Sequence, residues 1–219
     1  MLRFEVPLGL SVSEKLAELA RQQRTLLPLT ILALYLVVVL RWRDQCELLV
    51  GITSHGRHEP ALRNVIGYLA HNLLVRISLH RDDRFPDLLR RVNSEFFRAL
   101  RHHCFGAELR FAPDGTPKLS FNWVQTKPID VRRGRHERLR DELSITPFSF
   151  ATTEPDNESF PWLAFGGSIS ADNEIVSLIC YQANQFLPTT VARLGRNLVA
   201  FSRHLISNPD VRILSLNFR

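Results

Sequence analysis

Lysine is nearly missing from this chain: its 28 basic residues include only three lysines, Lys15, Lys118 and Lys127. The rest are arginines, whose planar guanidinium matches phosphate and carboxylate oxygens as a fork. They are scattered over the sequence without forming one block, so the concentrated basic footprint of a nucleic-acid binder is not expected. The net charge of +6 reads instead as a solvated basic surface, which leaves room for a partner carrying negative charge. Cysteine is scarce as well. Cys46, Cys104 and Cys180 are odd in number, far apart and form no C-x-x-C pair, which suggests neither a disulfide framework nor a zinc site. A reducing cytoplasm is the expected setting. Several common catalytic signatures are absent: no G-x-S-x-G elbow, no H-E-x-x-H helix, no P-loop and no dinucleotide fingerprint. The opening MLRFEVPLGL carries Glu5 and no apolar stretch ending in small residues, so it does not read as a signal peptide.

What is present is the composition of an ordinary globular protein, 45% hydrophobic and 23% charged. One run invites a different reading. Residues 26–40, LLPLTILALYLVVVL, are nearly all apolar, but the 15 residues fall short of the roughly 20 needed to cross a bilayer. Arg41 and Arg43 then close the run, and a helix buried in the protein core is expected, with no membrane partner.

The spacing of apolar residues divides the chain into elements. A first helix is expected near Ser11, where Ser11 and Glu14 have the spacing of a capping box, with Leu16, Leu19 and Ala20 on its apolar face. The buried helix follows, with Pro28 in its first turn. Residues 47–53 (ELLVGIT) and 72–79 (NLLVRISL) read as strands around the loop GRHEP at 56–60 and a short helix-like segment. A third long helix is expected over 86–103, capped by Asp82 or Asp83, with Phe85, Leu88, Leu89, Val92, Phe96 and Ala99 on one face. Its other face carries Arg90, Arg91, Arg98 and Arg101.

The second half is strand-rich: 119–125, 145–151, 162–170 and 174–182, interrupted by a charged stretch at 132–142 and a polar loop at 152–159. Pro188 opens a last helix that Pro209 ends. Long helices with strands and a packing helix make one α+β domain over residues 1–219, without linker or repeat.

Several segments resemble one family in the right order. Val50-Gly51 to Gly56-Arg57, and IGYLAHNLLVRI at 66–77, are similar to the paired "VGxPxxGR" and "IGxFVNTLxLR" segments of condensation domains from nonribosomal peptide synthetases. The preceding helix pair, ICYQANQF, the final helix and SNPD at 207–210 match the same family's second half. The resemblance implies a chloramphenicol acetyltransferase-like fold, in which two lobes form a V around a tunnel that admits two carrier proteins. This chain resembles the C-terminal lobe alone, a mixed sheet packed against long helices. The catalytic HHxxxDG motif of the family belongs to the N-terminal lobe.

RHHCFGAELR at 101–110 is a decoy for that motif. Four and five residues after His103 stand Ala107 and Glu108, where the motif has aspartate and glycine. Adjacent residues on a helix also point about 100° apart, so His102 and His103 cannot face one substrate atom together. RHERLR at 135–140 copies a family segment that belongs to the other lobe, and reads as a charged loop. Ser54-His55 and Ser202-Arg203-His204 are adjacent pairs without a third partner, so no serine triad is expected. No catalytic residue is assigned to this chain, and no metal ligand.

The resemblance implies other functional positions. His71 and Asn72 occupy the asparagine and threonine places of "FVNT", which line the tunnel. There a histidine or amide could orient a carbonyl or take a proton, although a hydrogen-bonded histidine at the entry to a strand is the simpler expectation. Gly51, Gly56 and Gly67 read as backbone-shape residues. Arg57, Arg90, Arg91 and Arg98 are the candidates for contact with carrier proteins and the phosphate of their phosphopantetheine arm. No intrinsic cofactor is expected. The expected function is that of the second lobe of an amide-forming acyltransferase, inactive alone and dependent on an N-terminal lobe in cis or in trans. Whether the chain acts as part of an enzyme at all stays open at this point. The alternative is a non-catalytic module that recruits carrier proteins or tailoring enzymes, and a homodimer that imitates the two-lobed form is a third arrangement.

Overall fold

A computed structural model describes residues 1–43, 46–80, 82–102, 119–124, 162–170 and 172–213. The strand expected at 145–151, the charged stretch at 132–142, the loop at 152–159 and the residues His103, Cys104 and Glu108 lie outside the described residues. The described strands are β1 (Leu2–Glu5), β2 (Glu47–Ser54), β3 (His71–Ser78), β4 (Leu119–Val124), β5 (Leu163–Ile169) and β6 (Ile175–Tyr181). The helices are α1 (Leu10–Gln22), α2 (Leu27–Arg43), α3 (Phe85–Arg101) and α4 (Pro188–Ser207).

The strands form one mixed six-stranded sheet in the order β1-β6-β5-β4-β2-β3. β4 runs parallel to β2 and β5, whereas the β1/β6, β5/β6 and β2/β3 pairs are antiparallel. Alternation along each strand sends one set of side chains inward: Val50 and Ile52 from β2, Leu73, Val75 and Ile77 from β3, Phe121 from β4, Phe165 from β5. The rings of Phe121 and Phe165, paired in register, stack with centroids 5.8 Å apart. On the opposite face Leu49, Val124 and Val176 are exposed. The fold is therefore α+β, with the helices gathered against the inward face.

α2 is the centre of that layer. Every residue from Leu29 to Leu40 is buried, as an all-apolar helix requires when it is covered on every side. α1, α3 and α4 all pack on it. No single described helix is long and apolar enough to cross a membrane; α1 and α2 would reach that length only together, and they are bent by 106°.

Two expected caps are replaced by others. α1 begins at Leu10, two residues earlier than the Ser11–Glu14 box requires, so Gly9, at φ 82°, takes the cap position and the box does not form. Ser13 does the anchoring instead: its hydroxyl donates to Gly9 O (2.8 Å) and accepts the Ile175 amide (2.9 Å), tying α1 to β6. At α3 the cap is Arg84, neither Asp82 nor Asp83, and the Asp87 carboxylate reaches back to the Arg84 amide at 3.0 Å. Asp83 is drawn away because it holds Arg91 and the His80 amide.

β1 is not among the strands expected from the sequence. Its inward residue Phe4 lies against Gly195 of α4, where an added Cβ would stand 2.5 Å from the ring. That close approach lets α4 sit directly on the edge of the sheet.

Candidate functional site

The β2/β3 hairpin brings the sequence-predicted wall residues to one end of the sheet. Ser54 is directly opposite His71, and Thr53 opposite Asn72, with the Thr53 hydroxyl donating to Asn72 Oδ1 at 3.2 Å. His71 is half-buried, and its Nδ1 lies 3.2 Å from Leu69 O. Asn72 is exposed.

The connection between the strands folds back over this end. Gly56, at φ 71°, makes the reversal, and Gly67 has φ 154°. Arg57 straps the loop: its guanidinium donates to His55 O (3.2 Å), Val65 O (3.1 Å) and Gly67 O (2.9 Å). Gly51 lies inside β2, opposite Leu74. The reversal also sets Ser54 Oγ 2.6 Å from His58 Nε2. Three imidazoles gather here, with ring centroids 4.7 Å apart for His55 and His58 and 6.5 Å for His58 and His71. Ser54 thus pairs with His58 and not with its neighbour His55, whose Nδ1 accepts the Arg57 amide at 2.9 Å. The sequence offered only a spacing of four in a loop, which means nothing until Gly56 turns the chain.

The loop presents an apolar shoulder. Val65, Ile66 and Tyr68 are exposed, Ile66 completely. Together they put apolar side chains on one loop beside the polar residues of the hairpin.

The four arginines expected to contact carrier proteins divide into two pairs. Arg57 is committed to the three carbonyls above. Arg91, mostly buried, donates to Ser78 O (2.6 Å) and to both oxygens of Asp83 (2.7 and 3.0 Å), and so braces the end of β3 against α3. Arg90 and Arg98 pair with Asp87 and Glu95 one helical turn away and remain largely exposed. Beside Arg90 is a cavity of about 340 Å³ in which Arg24 and Arg101 join it around Phe97, with no acidic residue in the lining among the described residues. Arg24 carries no signal in the sequence; it reaches this face because it sits in the left-handed region, φ 51°, at the end of α1.

The remaining described histidine and serine candidates lie away from this end of the sheet, at the end of α3 and on α4. His102 ends α3, exposed, beside Arg98. RHERLR lies outside the described residues. The Ser202 hydroxyl is buried and donates to Leu198 O at 2.8 Å, so it is not paired with His204. Among the described residues no group of three or more His, Cys, Asp or Glu is arranged to hold a metal ion.

The chain is similar to known proteins along almost its whole length. It is 23% identical over 211 residues to tyrocidine synthase 3 of Brevibacillus parabrevis, covering 94% of this chain and 3% of that protein. It is 24% identical over 217 residues to phosphinothricin tripeptide synthetase PhsC of Streptomyces viridochromogenes, covering 98% of this chain and 19% of that one. Among solved structures, the first condensation domain of the CDA synthetase superposes with a TM-score of 0.73 at 14% identity, over all of this chain and 47% of that one. The teicoplanin X-domain in complex with OxyB does so with a TM-score of 0.76 at 21% identity, over all of this chain and 48% of that one. The chain spans about half the length of these solved chains and a small fraction of the synthetases. The family model described as the condensation domain matches residues 2–218, and the chain belongs to that family.

Proposed function

We propose that this chain is the second lobe of a condensation-type acyltransferase of nonribosomal peptide biosynthesis. In this reading a first lobe, in the same or another polypeptide, supplies the HHxxxDG histidine, and residues 1–219 supply the facing wall of the tunnel. The amine of one carrier-bound substrate attacks the thioester carbonyl of the other; the C–N bond forms, the C–S bond breaks, and the thiol of the departing phosphopantetheine arm is released with a proton. His71 and Asn72 alternate to opposite faces of β3, so one of the two, and not both together, would orient the carbonyl. The basic cavity of Arg24, Arg90 and Arg101 would receive an acidic carrier helix or the phosphate of its arm, while Arg98 lines a separate cavity with Glu95 and Arg76. A cytoplasmic setting fits the free thiols of Cys46 and Cys180.

The observation that carries this reading is the exposed shoulder of Val65, Ile66 and Tyr68 beside the wall residues, where a two-lobed protein would seat its other half. The test is reconstitution. Purified chain mixed with a first lobe bearing HHxxxDG, an acyl carrier and an aminoacyl carrier is expected to give amide product only when both lobes are present. Turnover by this chain alone would overturn the assignment.

The likeness to an X-domain solved with OxyB favours a second reading, a non-catalytic module that recruits a carrier protein or a tailoring enzyme. Pull-down separates the two. Capture of carrier proteins without any HHxxxDG partner supports the module, and capture only in its presence supports the split enzyme. Sedimentation of the chain as a monomer would remove the homodimer.

A further inference from the structure

We propose that Ser54 and His58 form an acyl-accepting dyad, in which Ser54 takes an acyl group from a thioester and His58 manages its proton. The geometry is that of a nucleophile and its base: Ser54 Oγ and His58 Nε2 are 2.6 Å apart. The Gly56 amide donates to the same oxygen from 3.4 Å, and in the His58 tautomer that leaves Nε2 unprotonated the serine proton lies toward the imidazole. Ser54 is 7% exposed, and a hydrogen bond in so dry a position is stronger than one in water.

The loop does not need this bond to close. Arg57 already fastens it through three carbonyls, and the His55 ring holds the Arg57 amide. The dyad is therefore an addition to a turn held by other means. It faces His71 across the hairpin, at the wall to which the proposed function assigns thioester substrates. The inference rests on that reading only for the class of acyl donor.

The Ser54 oxygen attacks the thioester carbonyl carbon, and the C–O bond forms as the C–S bond breaks. The hydroxyl proton passes to His58 and from it to the departing sulfur. A water molecule, deprotonated by His58, then attacks the ester carbonyl; the C–O bond to serine breaks and Ser54 recovers its proton. The sum is a thioester and water converted to an acid and a thiol. Such a site would release acyl groups that stall at the wall.

The experiment needs neither first lobe nor carrier, so it can fail or succeed independently of the proposed amide synthesis. The purified chain is incubated with the acetyl thioester of N-acetylcysteamine, and the adduct is located by mass spectrometry of proteolytic peptides. An acetyl group is expected on Ser54, absent from Ser54→Ala, reduced at least tenfold in rate in His58→Gln, and unchanged in Ser207→Ala, whose serine is exposed on α4. Circular dichroism melts confirm that each variant is folded. The proposal is overturned if the folded chain carries no acetyl on Ser54, or if labelling of Ser54 in folded His58→Gln proceeds at the original rate.

Discussion

The carbonyl oxygen of Leu69 lies 1.9 Å from the place a Cβ on Gly56 would occupy. Because that atom is backbone and Gly56 has φ 71°, no side chain can be fitted without moving the two arms of the loop apart. Gly56→Ala is expected to cost at least about 2 kcal/mol, from left-handed strain and the displaced carbonyl. In a domain of this size that corresponds to a fall in Tm of roughly 4–8 °C. Differential scanning calorimetry measures it, and an unchanged Tm would mean that the loop does not depend on this contact.

Asp83 grips Arg91 with both oxygens and also accepts the His80 amide at 2.7 Å. Burial works to raise this carboxyl, but the Arg91 bonds and the His80 amide outweigh it and hold it below the usual carboxylate range. A folded carboxyl with a lowered pKa binds fewer protons than its unfolded counterpart. Its stabilisation is therefore present above the unfolded value of about 3.9 and is lost as pH falls through the folded value. Asp83→Asn is expected to cost about 2 kcal/mol at neutral pH and to lessen the loss of stability on acidification below pH ~4. Urea unfolding at a series of pH values checks both; parallel curves for the two proteins would show that Asp83 does not titrate with folding.

Burial pushes the Tyr35 phenol upward in pKa, and its hydroxyl has no hydrogen-bond partner among the described residues. Its ring lies 5.1 Å from that of Phe165, so packing and not polarity holds it in α2. Removing an unsatisfied buried hydroxyl while keeping the ring should be stabilising. Tyr35→Phe is expected to gain about 1 kcal/mol, seen as a higher urea midpoint with an unchanged m-value. A loss of the same size would reveal a partner for the hydroxyl.

The parts legible in the sequence are those whose physics is local. Leu29 to Leu40 announce a helix covered on every side, and the alternation of Leu48, Val50 and Ile52 announces a strand with one inward face. β1 was not legible because four residues carry little pattern and their partner, β6, is at the far end of the chain. The same distance hides Ser13, whose bond to the Ile175 amide makes it the anchor in place of Ser11. Arg91 sits among arginines on a polar helix face, and nothing in that periodicity says that it turns back to Ser78 and Asp83. His71 and Asn72 came from family resemblance, which marks positions. His58 came from the turn at Gly56, which only the folded loop displays.

The shoulder beside the wall gives the last prediction. Ile66 is 100% exposed and Tyr68 82% exposed, so neither contributes to the packing of this chain. Replacing both in Ile66→Ser with Tyr68→Ser should leave its stability within about 0.5 kcal/mol, as for other surface changes. If the shoulder seats the first lobe, the same change removes a tyrosine and an aliphatic anchor from the centre of an interface, where single truncations cost about 2 kcal/mol or more. Affinity for the first lobe is then expected to fall by at least about tenfold, or 1.4 kcal/mol, in isothermal titration calorimetry. Equal affinity for the variant and the original chain would place the lobe contact elsewhere, and with it the claim that His71 and Asn72 line a shared tunnel.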